Sequence, residues 1–277
     1  MQSLRMIEDW PVGTAAVAVV RGADGALLGA HGPQHHRFQL ASVTKPLTAY
    51  AALVAVEEGV FELDDPAGPE GSTVRHLLAH TSGLAFDDNR PMAQPGTRRL
   101  YSNAGFHVLA ETLAKAAGIP FERYAAEAVF QPLGMADTTI EAVHRSPAGA
   151  GGLSTAADLA RFAAELQAPR LLDPSTLATA TREVAFPGLT GVLPGYGHQK
   201  PNDWGLGFEI RDHKAPHWTG ATSSPQTFGH FGQSGTFLWV DPQAGVACVA
   251  LADRDFGPWA AEAWPVFTDA VLAELRG

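Results

Sequence analysis

The chain is poor in cysteine, poor in basic residues and without a long hydrophobic run. Its 277 residues include one cysteine, Cys248. A lone thiol forms no internal disulfide, and its place in the run Val246-Ala247-Cys248-Val249-Ala250-Leu251 marks a buried, inert side chain. Lysine and arginine total 19 against 29 aspartates and glutamates, a formal net charge of −10. Such a chain is a poor partner for nucleic acid or an anionic membrane, so neither is expected. No stretch approaches the roughly 20 apolar residues that span a bilayer. The apolar segment Pro11 to Val20 follows Glu8 and Asp9 and is closed by Arg21, which reads as a strand and not as a secretion signal. With Met1 as the native start, the expectation is a cytoplasmic protein. Metal chemistry is also not expected. His35 and His36 are adjacent and would point apart on a strand, and His213 and His217 have no carboxylate or thiol set beside them in sequence. His76 and His80 lie four apart, but Leu77 stands where a zinc-protease helix carries Glu. They read as braces at a helix end. No Gly-x-Ser-x-Gly elbow occurs.

What is present is a large apolar fraction, 45%, with 29 glycines and 20 prolines that imply many turns. Strands are expected at residues 17–20 and 27–30, around the turn Ala23-Asp24-Gly25, and again at 228–231, 236–240 and 246–251. Helical periodicity falls between them: 42–58, 73–79, 104–117, 120–130 and 155–166, with a last helix from Pro265 to Arg276. Strands thus come from both ends of the chain and most helices from its middle. The expected fold is α/β (α+β): an antiparallel five-stranded sheet flanked by helices, carrying an inserted, mostly helical region. Residues 1–62 with 150–277 would form the sheet lobe and 63–149 the helical lobe, with the site between them.

Chemistry is carried first by Ser42-Val43-Thr44-Lys45-Pro46. Ser42 and Lys45 fall one turn apart on one face at a helix start, and Pro46 is tolerated in a first turn. The free N–H groups of that turn suit an anionic oxygen. Ser42 is a weak nucleophile until a base takes its proton. Lys45 and Tyr101 are both candidate bases. Their ordinary pKa values, near ~10.4 and ~10, must each come down toward 7, a change of about 4 kcal/mol.

These segments resemble the serine hydrolases of the β-lactamase and penicillin-binding type, above all the class C β-lactamase-like esterases and D-alanyl-D-alanine carboxypeptidases. Ser42-Val43-Thr44-Lys45 resembles the family's first motif and Tyr101-Ser102-Asn103 its Tyr-x-Asn motif. His76-Leu77-Leu78-Ala79-His80-Thr81-Ser82-Gly83-Leu84, Pro132-Leu133-Gly134-Met135 and Gly151-Gly152-Leu153-Ser154-Thr155 are similar to further family segments, in the same order. The third motif, Lys-Thr-Gly or His-Thr-Gly in the family, departs: Gly229-His230-Phe231-Gly232 stands there. The resemblance implies Ser42 as nucleophile, Lys45 and Tyr101 as its proton carriers, and Asn103 positioning Lys45 or the substrate. It implies His230 and Gly232 beside the substrate, and the Ser42 and Gln233 backbone N–H groups as oxyanion donors. Phe231 in place of Thr would remove a hydroxyl that grips a substrate carboxylate.

The expected activity is therefore an acyl-enzyme serine hydrolase, a carboxylesterase (EC 3.1.1) on short-acyl esters ahead of a D-amino-acid peptidase, amidase or β-lactamase. A non-catalytic sensor on the same fold is the remaining alternative. Tyr196, Trp204 and Trp218, from the Gly/Pro/Trp-rich stretch 187–225, are expected to build an apolar acyl pocket. No cofactor and no metal are expected, and the partner is a small ester or amide.

Overall fold

The structure, a computed structural model, describes residues 1–142 and 145–276. In chain order the strands are β1 (Ala15–Arg21), β2 (Leu27–His31), β3 (Phe38–Gln39), β4 (Thr139–Ile140), β5 (Gly152–Ser154), β6 (Gly191–Leu193), β7 (Gly197–Gln199), β8 (Glu209–Ile210), β9 (Phe228–Gly232), β10 (Thr236–Asp241) and β11 (Val246–Ala252). The helices are α1 (Thr44–Glu57), α2 (Val74–Leu78), α3 (Asn103–Ala117), α4 (Phe121–Ala125), α5 (Pro147–Ala150), α6 (Ala156–Glu165), α7 (Pro174–Arg182) and α8 (Pro258–Arg276).

The central sheet has the order β2-β1-β11-β10-β9-β8, and every neighbouring pair is antiparallel. Its first five strands in that order are those anticipated; the two-residue β8 makes a sixth. Strand alternation divides the apolar residues between two cores. Ala16, Ala18, Val20, Leu238, Val240, Val249 and Leu251 face the core shared with α1, α3 and α6. Val17, Val19, Phe237, Trp239, Cys248 and Ala250 face an aromatic core closed by α8 and the N-terminal 3₁₀ segment Ser3–Asp9. Both faces of the sheet are covered, which is why its strands read as unbroken apolar runs.

Residues 63–149 supply α2, α3, α4 and most of α5, with the short β4. That range contains Val143 and His144, and 150–277 contains Gly277; those three lie outside the described residues. Turn chemistry sets the boundaries. Thr155 caps α6 by accepting from the Asp158 N–H, Ser102 caps α3 by accepting from Gly105, and Gly118 ends α3 at φ 72°. The C-terminal helix begins earlier than the sequence implied: Pro265 is interior to α8. A proline there removes one helical hydrogen bond. Trp264 and Ala260, both fully buried in the aromatic core, hold the preceding turns in place.

Candidate active site

Ser42 does not sit in the α-helix itself. It is the middle residue of a 3₁₀ turn, Ala41–Val43, that runs into α1, and Ala41 before it is held at φ 45°. That conformation is uncommon for a non-glycine residue. The turn is clamped from the sheet side: the Thr236 hydroxyl donates to the Leu40 carbonyl at 2.9 Å. A Cβ on Gly232 would lie 2.3 Å from the same carbonyl, so β9 approaches the Ser42 turn this closely only with glycine at its end. Gln233 follows directly beside that turn.

Lys45 is completely buried, and its ammonium has three acceptors: Asn103 Oδ1 at 2.6 Å, the Gly149 carbonyl at 2.8 Å and Ser42 Oγ at 3.3 Å. Burial lowers its pKa to about 7, with Asp87 opposing the shift. Asp87 acts through a short route, since its carboxylate accepts from Asn103 Nδ2 at 2.9 Å. The Gly149 carbonyl is delivered by α5, which is tied to α1 where Thr48 Oγ1 donates to the Ala148 carbonyl at 2.7 Å. A Cβ on Gly149 would come within 3.2 Å of Asn103 Oδ1. Nothing in the sequence marked Gly149 or Asp87, since one acts by its backbone and the other through a second side chain.

Tyr101 lies against the lysine, with Nζ 4.6 Å from the ring centroid. Its pKa moves opposite to the expectation: burial raises it above the ordinary phenol value, although an interaction with Ser42 pulls the other way. His230 faces the hydroxyl, with Tyr101 Oη and His230 Nε2 3.4 Å apart. His230 Nδ1 is 2.6 Å from the Phe231 carbonyl, which can only accept, so Nδ1 carries the proton and Nε2 accepts. Burial and Lys45 lower the His230 pKa to about 3. The imidazole is neutral throughout the working range.

Ser42, Lys45, Tyr101, Asn103, His230, Gly232 and Gln233 are thus brought to one place. Two sequence expectations change. Phe231 points to the opposite face of β9, into the aromatic core against Trp218, Tyr196 and Phe256, because neighbouring strand residues alternate sides. It cannot stand where a carboxylate-gripping hydroxyl would. Tyr196 and Trp218 belong to that same core and not to an acyl pocket. Trp204, 2% exposed, packs on Tyr101, His80 and His230, so it braces the site from behind. His80 completes this backing: its Nδ1 accepts from the Ser102 N–H at 3.1 Å and its ring stacks 4.5 Å from Tyr101. The carboxylate missing beside His217 in sequence is Glu209, 3.0 Å away on β8, which also holds Lys214 at 2.9 Å. Among the described residues no group of three or more His, Cys, Asp or Glu is arranged to hold a metal.

A sheet with helices on both faces, and a Ser-Lys-Tyr-Asn cluster at the edge of its helical side, is the arrangement of the β-lactamase and transpeptidase fold. The chain belongs to the beta-lactamase family, whose model matches residues 8–272; its members are serine hydrolases. The crystal structure of a beta-lactamase from Mycobacterium bovis is 58% identical, covers 99% of both chains and superposes with a TM-score of 0.96. EstCE1, a hydrolase with promiscuous acyltransferase activity, shares the fold at 20% identity and a TM-score of 0.80, over 98% of this chain and 96% of its own. Penicillin-binding protein 4* of Bacillus subtilis is 31% identical over 143 residues, 40% of this chain and 32% of that protein. The matched stretch is therefore about a third of that relative's length.

Proposed function

We propose that the chain hydrolyses short-acyl esters through an acyl-enzyme on Ser42. The observation that carries this reading is the cradle of Lys45. Two of its N–H groups are engaged by Asn103 and Gly149, and these bonds survive whether the amine is charged or neutral. The third position faces Ser42 Oγ and holds either a proton or a lone pair. With a pKa near 7, the neutral amine is well populated at physiological pH and can accept the serine proton. The Ser42 oxygen then attacks the acyl carbon, and the carbonyl electrons move onto oxygen beside the Ser42 and Gln233 N–H groups. Tyr101, held protonated, suits the opposite task of donating to the departing alkoxide, and it recovers its proton from Lys45. Water repeats the sequence on the acyl-enzyme and releases the acid.

Esters are favoured because the neutral His230 offers no fixed cation to hold a carboxylate next to the scissile bond. β-Lactam hydrolysis is the second reading, favoured by the name of the 58%-identical Mycobacterium bovis protein. The test is kcat/KM at pH 7 for nitrophenyl acetate and butyrate against nitrocefin and a D-alanyl dipeptide. Intact-mass spectrometry of a fluorophosphonate adduct on the Ser42 peptide accompanies it. A tenfold advantage for nitrocefin or the dipeptide, or full labelling of Ser42→Ala, would overturn the reading.

A further inference from the structure

One cavity has Tyr101 in its wall and a volume of about 1030 Å³, large enough for an extended small molecule. Its sides are the loop 84–100 and the β6–β7 hairpin with Lys200. The two sides are fastened together. The Arg99 N–H donates to the Thr190 carbonyl at 3.2 Å. The buried Arg99 guanidinium donates to the carbonyls of Ala79 at 2.6 Å, Ala185 at 2.7 Å and Asn202 at 3.0 Å. The cavity is therefore preformed.

Its lining is unusual in two respects. Phe86, Met92 and Val192 are 52%, 55% and 57% exposed, three of the most exposed large apolar side chains of the chain, and all of them line this one cavity. Around them stand the exposed cations Arg90, Arg98 and Lys200, with His198. Among the described residues no acidic side chain lines the cavity, in a chain whose net charge is −10. Among the described residues, Arg90 is the one of these three with a carboxylate within 4 Å, Asp88 at 3.9 Å. A cavity that sets Tyr101 beside exposed apolar side chains and exposed cations complements a molecule with an apolar body and an anionic group.

We propose that, besides short-acyl esters, the site takes esters of a longer apolar acyl chain that ends in a carboxylate, the chain lying on Phe86, Met92 and Val192 and the carboxylate at Arg98 and Lys200. This rests on the ester-hydrolase reading of Ser42. The anion is remote from the reacting carbonyl, unlike a carboxylate held beside the scissile bond.

The experiment compares nitrophenyl hydrogen suberate with its methyl-capped counterpart, nitrophenyl methyl suberate, at low and high salt. The free acid should win in kcat/KM by roughly three- to thirtyfold at low ionic strength, and the advantage should shrink in about 0.5 M salt. In the Arg98→Gln/Lys200→Gln double variant the ratio should fall to about one. A ratio of one or less in the wild type, or a ratio unmoved by the double variant, overturns the proposal. Calorimetric binding of suberic acid monomethyl ester and of dimethyl suberate to Ser42→Ala separates the two readings. If no nitrophenyl ester is turned over, the hydrolase reading falls. Tighter binding of the acid, lost in the triple variant, then still supports the anion site, and equal binding refutes it.

Discussion

Lowering the pH should switch the enzyme off through Lys45 alone. At its ordinary pKa near ~10.4 a lysine is neutral in only about 0.04% of molecules at pH 7; at a pKa of about 7 the fraction is about half, a gain on the order of a thousandfold. The rate of acylation should follow that fraction. It should reach about a tenth of its plateau at pH 6, half near pH 7 and about nine-tenths at pH 8. Neither neighbour adds a second limb between pH 5 and 9, since His230 titrates near 3 and Tyr101 lies above its ordinary value. Asp87 offers the sharper test, because its charge pushes Lys45 upward against the effect of burial. Asp87→Asn keeps an oxygen to accept from Asn103 Nδ2 but removes the charge, so the acid limb should move to lower pH and activity at pH 6 should rise relative to the plateau. The assay is kcat/KM for nitrophenyl butyrate in constant-ionic-strength buffers from pH 5 to 9. A limb that stays put or moves upward in Asp87→Asn, or a wild-type limb lying above pH 8.5, would refute the assignment of the base.

Three further outcomes follow from the same geometry. Tyr101→Phe should cost about 10²- to 10⁴-fold in kcat while leaving the acid limb near pH 7; disappearance of the limb would make the phenol the base. Phe231→Thr should lower stability by about 3 kcal/mol and Tm by about 5 °C in calorimetry, without raising nitrocefin turnover, because the side chain fills the aromatic core. Increased nitrocefin turnover at unchanged Tm would place it at the substrate after all. Glu209→Gln should cost about 3 kcal/mol in urea unfolding: burial alone would raise the Glu209 pKa, but Lys214 and His217 outweigh it and depend on its charge. An unchanged midpoint would show that the buried cluster does not need its anion.

Much of the fold was legible because it is written in local periodicity. The central strands, α1, α3 and α6 each carry their own apolar pattern, and Ser102, Thr155 and Gly118 mark helix ends that depend on single residues. The short elements β3, β4 and β5 were not legible. Two or three residues show no period, and they become strands only because segments far apart in sequence, near residues 38, 139 and 152, meet in space. The candidate site divides in the same way. Ser42, Lys45, Tyr101 and Asn103 sit in compact motifs whose spacing implies a shared face. Gly149 and Asp87 act on them across the fold, from positions that carry no pattern. Phe231 was misread for a different reason: a motif aligns residues by order, but which side of the strand each one faces is decided by β9 pairing with β10, which turns His230 and Gly232 to the serine and Phe231 to α8.

The distribution of charge links these observations. At the place that resembles the family's third motif, Lys-Thr-Gly or His-Thr-Gly, this chain has His230, neutral by burial and by the proximity of Lys45. A second ammonium there would have lowered Lys45 by repulsion; with His230 in place, burial is the leading cause and the depression still reaches about 7. The consequence is that, once Lys45 has lost its proton, none of the side chains touching it or Tyr101 carries a positive charge. A carboxylate placed next to the scissile bond would find neither a cation nor a hydroxyl on β9 to hold it. Positive charge near the site is found instead at Arg90, Arg98 and Lys200, which line the same cavity as Tyr101. On the proposed reading, a neutral reacting centre beside a cation-lined cavity would select by what the acyl chain carries at its end. That arrangement separates the electrostatics of recognition from the electrostatics that set the base, so either can be altered by mutation while the other is held.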